Sequence, residues 1–161
     1  MMIMAEPSKQ LDPIASALVS AEAICIERGQ RFTPLRRRVL ELVLQAGKPI
    51  KAYDLLELLS EDRRRVAPPT VYRSLDFLLE QKFLHRIESQ NAFIACCIGH
   101  GHKHAVQFFI CNRCNEVIEM TDNSIAESIR QRAGEMGFQA TGQTIEVSGL
   151  CKRCVAEQPA G

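Results

Sequence analysis

The sequence predicts an α+β protein whose first half is mainly helical and whose second half is rich in strands. Up to about residue 81, apolar residues recur every three or four positions, which is the period of a helix. Later runs alternate between apolar and polar residues, as strands do, and two Cys-x-x-Cys pairs occupy the last third. We therefore expect one domain over residues 1–97, a histidine-rich hinge over 98–104 and a second domain over 105–161.

Four helices are predicted in the first half. They cover residues 13–28, the segment from Thr33 to Gly47, residues 52–60 and about residues 69–81. Thr33 is a good N-cap, and Gly47 is a typical helix end. The predicted inward residues of the first three helices are Ile14, Leu18, Ala21, Ile24 or Cys25, then Leu35, Val39, Leu40, Val43 and Leu44, then Leu55, Leu56 and Leu59.

The fourth predicted helix carries one apolar stripe, which leaves Tyr72 and Arg73 outside the core near its N-terminal end. Two helices followed by a hairpin form a winged helix-turn-helix, whose second helix presents its N-terminal residues to the major groove of DNA. Arg73 suits a bidentate contact to guanine, and Tyr72 suits a thymine methyl or a phosphate. An ordinary surface helix shows the same two residues, so this pattern alone does not establish DNA binding.

Strands and one more helix are predicted after residue 82. The predicted strands cover residues 83–89, 92–97, 106–111, 115–120 and 143–147, and the predicted helix covers 122–136. We expect Ile125, Ile129, Ala133 and Met136 to form the inward face of that helix.

Charge and hydropathy restrict the partners only weakly. The net charge is +1, so only the arginine clusters 36–38 and 63–65 indicate a nucleic acid, and each alone is typical of a solvated surface. No apolar run approaches the ~20 residues of a transmembrane helix, and the N-terminal residues do not resemble a signal peptide. We therefore expect a cytoplasmic protein with no membrane partner and with reduced thiols.

The two Cys-x-x-Cys pairs predict a structural zinc site. Cys111 and Cys114 form the first pair, and Cys151 and Cys154 form the second. Four thiolates in two such pairs are what a tetrahedral Zn²⁺ requires. A redox motif is the alternative for a single pair, but two pairs favour a metal. The residues between the pairs, 115–150, leave room for a strand, a helix and another strand.

A second metal site is predicted from the alternation of side chains along the strands. A two-residue turn at positions 90–91 places His85 opposite Cys96, with Cys97 on the other face. A three-residue turn would exchange the two cysteines. In the next hairpin, pairing Cys111 with Cys114 places Val106 opposite Glu119.

The same alternation places His104 diagonally beside Glu119, so the predicted ligands are His85, Cys96, His104 and Glu119. This mixed set of nitrogen, sulfur and oxygen ligands suits Zn²⁺ better than Fe²⁺ or Mn²⁺. For His100 and His102, a surface position and an auxiliary ligand role remain equally open.

These segments together resemble one family. The run PPTVYRSLDFLLEQ, the hinge GHGHKH and the segments FICNRCNEVIEM and GLCKRC are similar to those of the ferric uptake regulator superfamily of bacterial metal-dependent repressors. The resemblance covers about residues 13–155. It implies an N-terminal winged helix-turn-helix domain and a C-terminal α/β dimerisation domain.

The resemblance also implies the roles of particular residues. The structural zinc ligands correspond to Cys111, Cys114, Cys151 and Cys154, and the sensing ligands of zinc-responsive members correspond to His85, Cys96, His104 and Glu119. The resemblance places Tyr72 and Arg73 at the DNA bases. We also expect Thr70 and Arg36 to contact DNA.

The implied function is a homodimeric repressor that holds two Zn²⁺ per chain and binds double-stranded operator DNA at genes for zinc uptake. A relative that senses iron, manganese or peroxide is the alternative, although such members usually lack a cysteine at the sensing position. A zinc hydrolase or deaminase is disfavoured, because catalytic zinc keeps an open coordination position and neither cysteine pair follows a proline. We therefore expect no enzymatic activity.

Overall fold

A computed structural model describes residues 12–61, 66–96 and 105–157 of the chain. The helices are α1 Pro13–Glu27, α2 Pro34–Ala46, α3 Ala52–Glu61, α4 Pro68–Glu80, α5 Asn123–Glu135 and α6 Lys152–Ala156. The strands are β1 Ile50–Lys51, β2 Leu84–Ile87, β3 Ala92–Ala95, β4 Val106–Cys111, β5 Val117–Met120 and β6 Thr144–Gly149.

The strands form two separate three-stranded sheets. The first has the order β1-β3-β2 and is antiparallel, and it stands beside the four helices of the first half. The second has the order β5-β4-β6, with β4 and β5 antiparallel and β4 and β6 parallel. The predicted fold class is therefore confirmed: a winged helix-turn-helix, with β2 and β3 as its wing, precedes an α/β half. The boundaries 1–97, 98–104 and 105–161 stay predictions.

Local sequence explains where the helices begin and end. The Asp12 side chain accepts a hydrogen bond from the first turn of α1, and the Thr33 hydroxyl accepts one from the Arg36 amide. Each helix then opens with a proline, which lacks the amide hydrogen that a first turn leaves without a partner. Gly47 ends α2 in the left-handed conformation, at φ 60°.

The predicted apolar stripes of the first three helices are confirmed. Leu18, Leu40 and Leu55 are buried in one core that also contains residues of α4 and of the first sheet, and the remaining predicted residues are buried or partly buried against it. The stripe of α4 joins the same core through Val71 and Leu75. Two elements were not predicted, β1 and α6, since a two-residue strand and a five-residue helix are too short to show a period.

The predicted register of the first hairpin is wrong by two residues. The structure pairs His85 with Ile94, not with Cys96. The reason is the turn, which contains the 3-10 segment Glu88–Gln90 followed by Asn91 in the left-handed conformation at φ 47°. Because a shift of two preserves the alternation of side chains, His85 and Cys96 remain on one face, diagonally placed.

The second hairpin shows the same kind of error. Phe108, not Val106, lies opposite Glu119. The Cys111 amide donates to the Glu116 carbonyl oxygen at 2.9 Å, so the turn is longer than a pairing of Cys111 with Cys114 assumed. The face predicted for Glu119 is nevertheless retained.

The predicted inward face of α5 is wrong for the single chain. Ala133 is buried as expected, but Ile125, Ile129 and Met136 are 37%, 42% and 78% exposed. Ala126 is buried in their place. The larger apolar side chains of α5 therefore form a surface in the protomer.

A small apolar cluster joins the two halves. Ile87, at the end of wing strand β2, is fully buried against Val106, Phe108 and Ile110 of β4. Ile94 of β3 packs on the same cluster. The wing thus lies against one face of the second sheet, and this contact positions the site described next.

Candidate functional site

Four cysteine thiols come together at one end of the second sheet. Cys111 ends β4 and Cys114 lies in the turn after it, while Cys151 precedes α6 and Cys154 lies within it. The four sulfur atoms lie within 4.8 Å of one another. Cys114 Sγ and Cys151 Sγ are 3.7 Å apart. Two thiolates on a tetrahedral Zn²⁺ with bonds of about 2.3 Å would lie about 3.8 Å apart, so the cluster fits this metal.

The backbone of the sheet brings the two pairs together. Strands β4 and β6 are parallel neighbours, and their register aligns Cys111 with Gly149. The Asn112 amide donates to the Gly149 carbonyl oxygen at 2.8 Å. Asn115, at φ 58°, completes the turn and donates its amide hydrogen to the Cys111 carbonyl oxygen at 2.9 Å. The cluster is thus fixed by strand pairing as well as by any metal.

The thiols of this cluster differ in acidity. Backbone hydrogen bonds from Cys151 and Cys114 lower the pKa of Cys111 to about 6. Burial, together with hydrogen bonds to neighbouring thiols, raises the pKa of Cys154 to about 12. A thiol must lose its proton to bind a metal, so Cys111 is ready to bind at neutral pH and Cys154 must release a proton.

A second cluster lies where the wing meets the second sheet. His85 is on β2, Cys96 directly follows β3, and Glu119 is on β5. His85 Nε2 is 3.3 Å from Glu119 Oε1, and Cys96 Sγ is 3.8 Å from the same oxygen. The His85 and Glu119 side chains are only 14% and 3% exposed. Ligands of Zn²⁺ with bonds near 2.1 Å would lie about 3.4 Å apart, so the spacing again fits a shared ion.

This second cluster draws its residues from both halves of the molecule. The Phe108 ring packs edge-on against His85, with their centroids 5.5 Å apart. Phe108 pairs across the strands with Glu119, so one side chain supports both candidate ligands. Phe108 was not predicted as a site residue, because the expected register placed Val106 and not Phe108 opposite Glu119.

Several predicted site residues lie outside the part of the chain that the structure describes. They are His104, His100, His102, Cys97 and the arginine cluster 63–65. The structure therefore brings together three of the four predicted sensing residues, and the role of His104 stays a prediction.

The first turns of α4 form an exposed polar strip. Thr70, Tyr72 and Arg73 are exposed, with Tyr72 at 49%, whereas Val71 and Ser74 are buried. The burial of α4 against α2 and the first sheet thus leaves its N-terminal residues on the surface, as the sequence predicts. Whether they contact DNA stays a prediction.

Arg36 lies in a different environment. Its guanidinium stacks 3.5 Å above the centre of the Phe77 ring on α4, and it donates a hydrogen bond to the Arg31 carbonyl oxygen. These contacts brace α2 against α4. A DNA contact by Arg36 stays a prediction.

Comparison with known proteins identifies the family. The sequence model of the ferric uptake regulator family matches residues 27–148. The chain belongs to this family. It is 44% identical over 138 residues to the zinc uptake regulation protein of Escherichia coli K12, a match that covers 86% of this chain and 81% of that protein.

Solved structures of this family agree with the fold. A zinc uptake regulator complexed with zinc and DNA superposes with a TM-score of 0.86, at 41% identity, over 90% of this chain and 97% of that one. Holo XcZur gives a TM-score of 0.82 at 47% identity, over 88% of this chain and 98% of that one. Apo XcZur gives a TM-score of only 0.53 at 45% identity, over 90% of this chain and 99% of that one. The arrangement described here is therefore similar to the holo form.

None of the helices among the described residues has the length and the apolar character needed to cross a membrane.

Replacing Cys154 by serine should remove one equivalent of zinc per chain and destabilise the second sheet, since its cluster joins the turn after β4 to α6. Loss of a structural metal site removes folding free energy. Metal analysis of the purified protein and thermal unfolding measure the two effects. Cys25→Ala, which alters a buried cysteine outside both clusters, is the control. Equal zinc content in the two variants would contradict the assignment.

Proposed function

We propose that the protein is a cytoplasmic, zinc-responsive, homodimeric repressor that binds operator DNA and controls genes for zinc uptake. The observation that carries this proposal is the cluster of His85, Cys96 and Glu119, which joins the wing of a DNA-binding fold to the second sheet. Two relatives of the chain support zinc as the signal. The E. coli relative is a zinc uptake regulation protein, and one solved relative is complexed with both zinc and DNA.

The two clusters have different proposed roles. Cys111, Cys114, Cys151 and Cys154 hold a structural zinc within one half, where four thiolates make a closed site. His85, Cys96 and Glu119 bind a regulatory zinc, with His104 as the proposed fourth ligand. Bound there, a divalent cation neutralises the thiolate and the carboxylate and ties the wing to the second sheet. With one zinc in each site, the proposal gives two Zn²⁺ per chain.

The second sheet offers a surface for a second copy of the chain. Phe109 pairs with Ile118 on one side and with Val147 on the other, which forms a row that faces away from the wing. These three side chains are 40%, 51% and 42% exposed. We infer that the dimer covers this apolar row and extends onto the exposed apolar residues Ile125 and Ile129 of α5, because large apolar patches are uncommon on monomers.

DNA binding is proposed for the N-terminal turns of α4. Arg73 and Tyr72 are exposed near the N-terminal end of α4, with Thr70 beside them, and we propose that they contact base edges as the N-terminal residues of a recognition helix do. Pro68 and Pro69 carry no amide hydrogen, and the Thr70 amide donates to the Ala67 carbonyl oxygen at 2.9 Å, so we assign the DNA contacts of this helix to its side chains. Arg36, whose guanidinium stacks on Phe77 of α4, is proposed as a further DNA contact.

The regulation follows from the position of the second cluster. Each recognition helix is rigidly attached to a wing through one core, and the wing is held against the dimerising half. Fixing the wing therefore fixes the separation of the two recognition helices in a dimer, which must match successive major grooves about 34 Å apart. Zinc favours the DNA-binding arrangement only to the extent that it binds that arrangement more tightly.

A thiolate in the sensing cluster distinguishes zinc from the alternative signals. Cys96 supplies a soft sulfur ligand, whereas Fe²⁺ and Mn²⁺ prefer more oxygen and nitrogen ligands and higher coordination. Operator binding across buffered free Zn²⁺, Fe²⁺ and Mn²⁺ tests the choice. We expect zinc to act at the lowest free concentration, and stronger activation by iron or manganese would contradict a zinc sensor.

Replacing Cys96 by serine should abolish the zinc dependence of operator binding without disrupting the dimer. The variant should lose one zinc per chain and keep the zinc of the four-cysteine cluster. Wild-type affinity should rise by about 5- to 150-fold with zinc, the usual range of coupling between two sites, whereas the variant should change by less than about threefold. A mobility shift at fixed salt, with Cys25→Ala as control, measures both. A wild-type zinc response in the Cys96 variant would contradict the site.

Replacing Arg73 by alanine removes a bidentate base contact, which contributes about 1–3 kcal/mol, from each subunit of the proposed dimer, so specific operator binding should weaken by at least about 30-fold. Arg130→Ala is the matched control, because Arg130 is 62% exposed, pairs with Glu127 and lies on α5 away from the stripe of Ile125 and Ile129. Affinity for the operator and for a scrambled duplex is measured at one salt concentration. An equal loss on both duplexes would assign Arg73 to the phosphates instead.

A further inference from the structure

The wing contacts the second sheet at a point that involves none of the candidate metal ligands. The carboxylate of Glu146 on β6 accepts the Glu88 amide hydrogen bond at 2.6 Å with one oxygen and the Ser89 amide hydrogen bond at 3.1 Å with the other. Both donors belong to the 3-10 turn between β2 and β3. They are the first amides of that turn, which has no carbonyl of its own to pair with them. One carboxylate thus satisfies both.

Glu146 belongs to the same row of the sheet as the sensing carboxylate. The register pairs Phe108 of β4 with Glu119 of β5 and with Glu146 of β6. Residues opposite one another in a sheet project from the same face. Phe108, at the centre of the row, is 1% exposed and contacts His85 of the wing. The row therefore meets the wing twice, through Glu119 at the strands and through Glu146 at the turn.

The charge of Glu146 strengthens its hydrogen bonds to the turn. Burial raises the pKa of Glu146, but hydrogen bonds from Ser89 and Glu88 outweigh it and lower the pKa below its ordinary value. Glu146 is therefore ionised at neutral pH, and hydrogen bonds to a charged group are stronger than neutral ones. The turn is itself braced, since the Arg86 guanidinium donates to the Asn91 side-chain oxygen at 2.8 Å.

We propose that Glu146 is a positioning residue that latches the wing to the second sheet without a metal and so sets the zinc concentration at which the repressor responds. This inference rests on the proposed function. The latch favours the arrangement in which His85, Cys96 and Glu119 are already close together. The apparent affinity for a ligand is proportional to the fraction of molecules in the binding-competent arrangement. Because the latch increases that fraction, it raises the apparent zinc affinity of the site.

Glu146→Gln tests the latch with almost no change in size. An amide replaces one acceptor oxygen by an NH₂ group, which then faces one of the two backbone donors. The half-maximal free zinc for operator binding should rise about tenfold, within the usual range of coupling between sites. Zinc content at saturation and dimer size should not change. Glu127→Gln, on the exposed face of α5 where Glu127 pairs with Arg130, is the matched control. A midpoint equal to that of the control would overturn the proposal.

Hydrogen exchange tests the contact independently of DNA. In the zinc-loaded protein, the Glu88 and Ser89 amides should exchange about tenfold faster in Glu146→Gln than in the control, since freed amides lose their protection. Glu146→Asp, which keeps the charge but shortens the side chain, should give an intermediate rate. Unchanged exchange would overturn the latch, even with a normal zinc response. If the amides exchange faster in Glu146→Gln but the wild-type protein shows no zinc response, the contact is supported and the proposed function is contradicted.

Discussion

The packing of the wing against one face of the second sheet is the contact on which the rest of the structure depends. Ile87 and Phe108 are almost completely buried there, and side chains of this size stabilise by about 1.5–3 kcal/mol each when fully buried. This apolar contact brings His85 within 3.3 Å of Glu119 and excludes water from both. Polar contacts in such a setting are strong when they are satisfied and costly when they are not. The packed arrangement therefore holds the three candidate ligands close together in a largely buried site.

Because side chains alternate along each strand, the two faces of the second sheet make different contacts. One face carries Phe108 toward the wing, and the other carries Phe109 toward solvent, where we propose that a second chain binds. Because adjacent residues of one strand serve both faces, we infer that the contact with the wing sets the position of the wing relative to the proposed dimer surface. The cysteine cluster at the end of β4 and β6 anchors the same strands. In the proposed dimer, a change in the position of the wing would therefore change the separation of the two recognition helices.

Much of this arrangement was predictable from the sequence, because periodicity and alternation are local properties. The stripes of α1 to α4 and the joining of the four cysteines follow from spacing, whereas the common face of His85 and Cys96 also requires a turn with an even number of residues. The hairpin registers did not, because turn length depends on the left-handed residues Asn91 and Asn115, which spacing does not reveal. Ile125 was misassigned for a different reason: an apolar stripe predicts burial but does not say whether the same chain or a second copy supplies the cover. Glu146 was missed because its partners are backbone amides, which leave no trace in the sequence.

The distance between the two halves, measured with and without the regulatory metal, tests the central claim most directly. Spin-labelled unnatural amino acids at Glu80 on α4 and Glu135 on α5, both exposed, give this distance by pulsed electron resonance. Mixed dimers with excess unlabelled chain isolate the distance within one protomer. We predict one narrow distribution when both metal sites are filled and a broad one when only the four-cysteine site is filled. The same narrow distribution in both states would contradict the account.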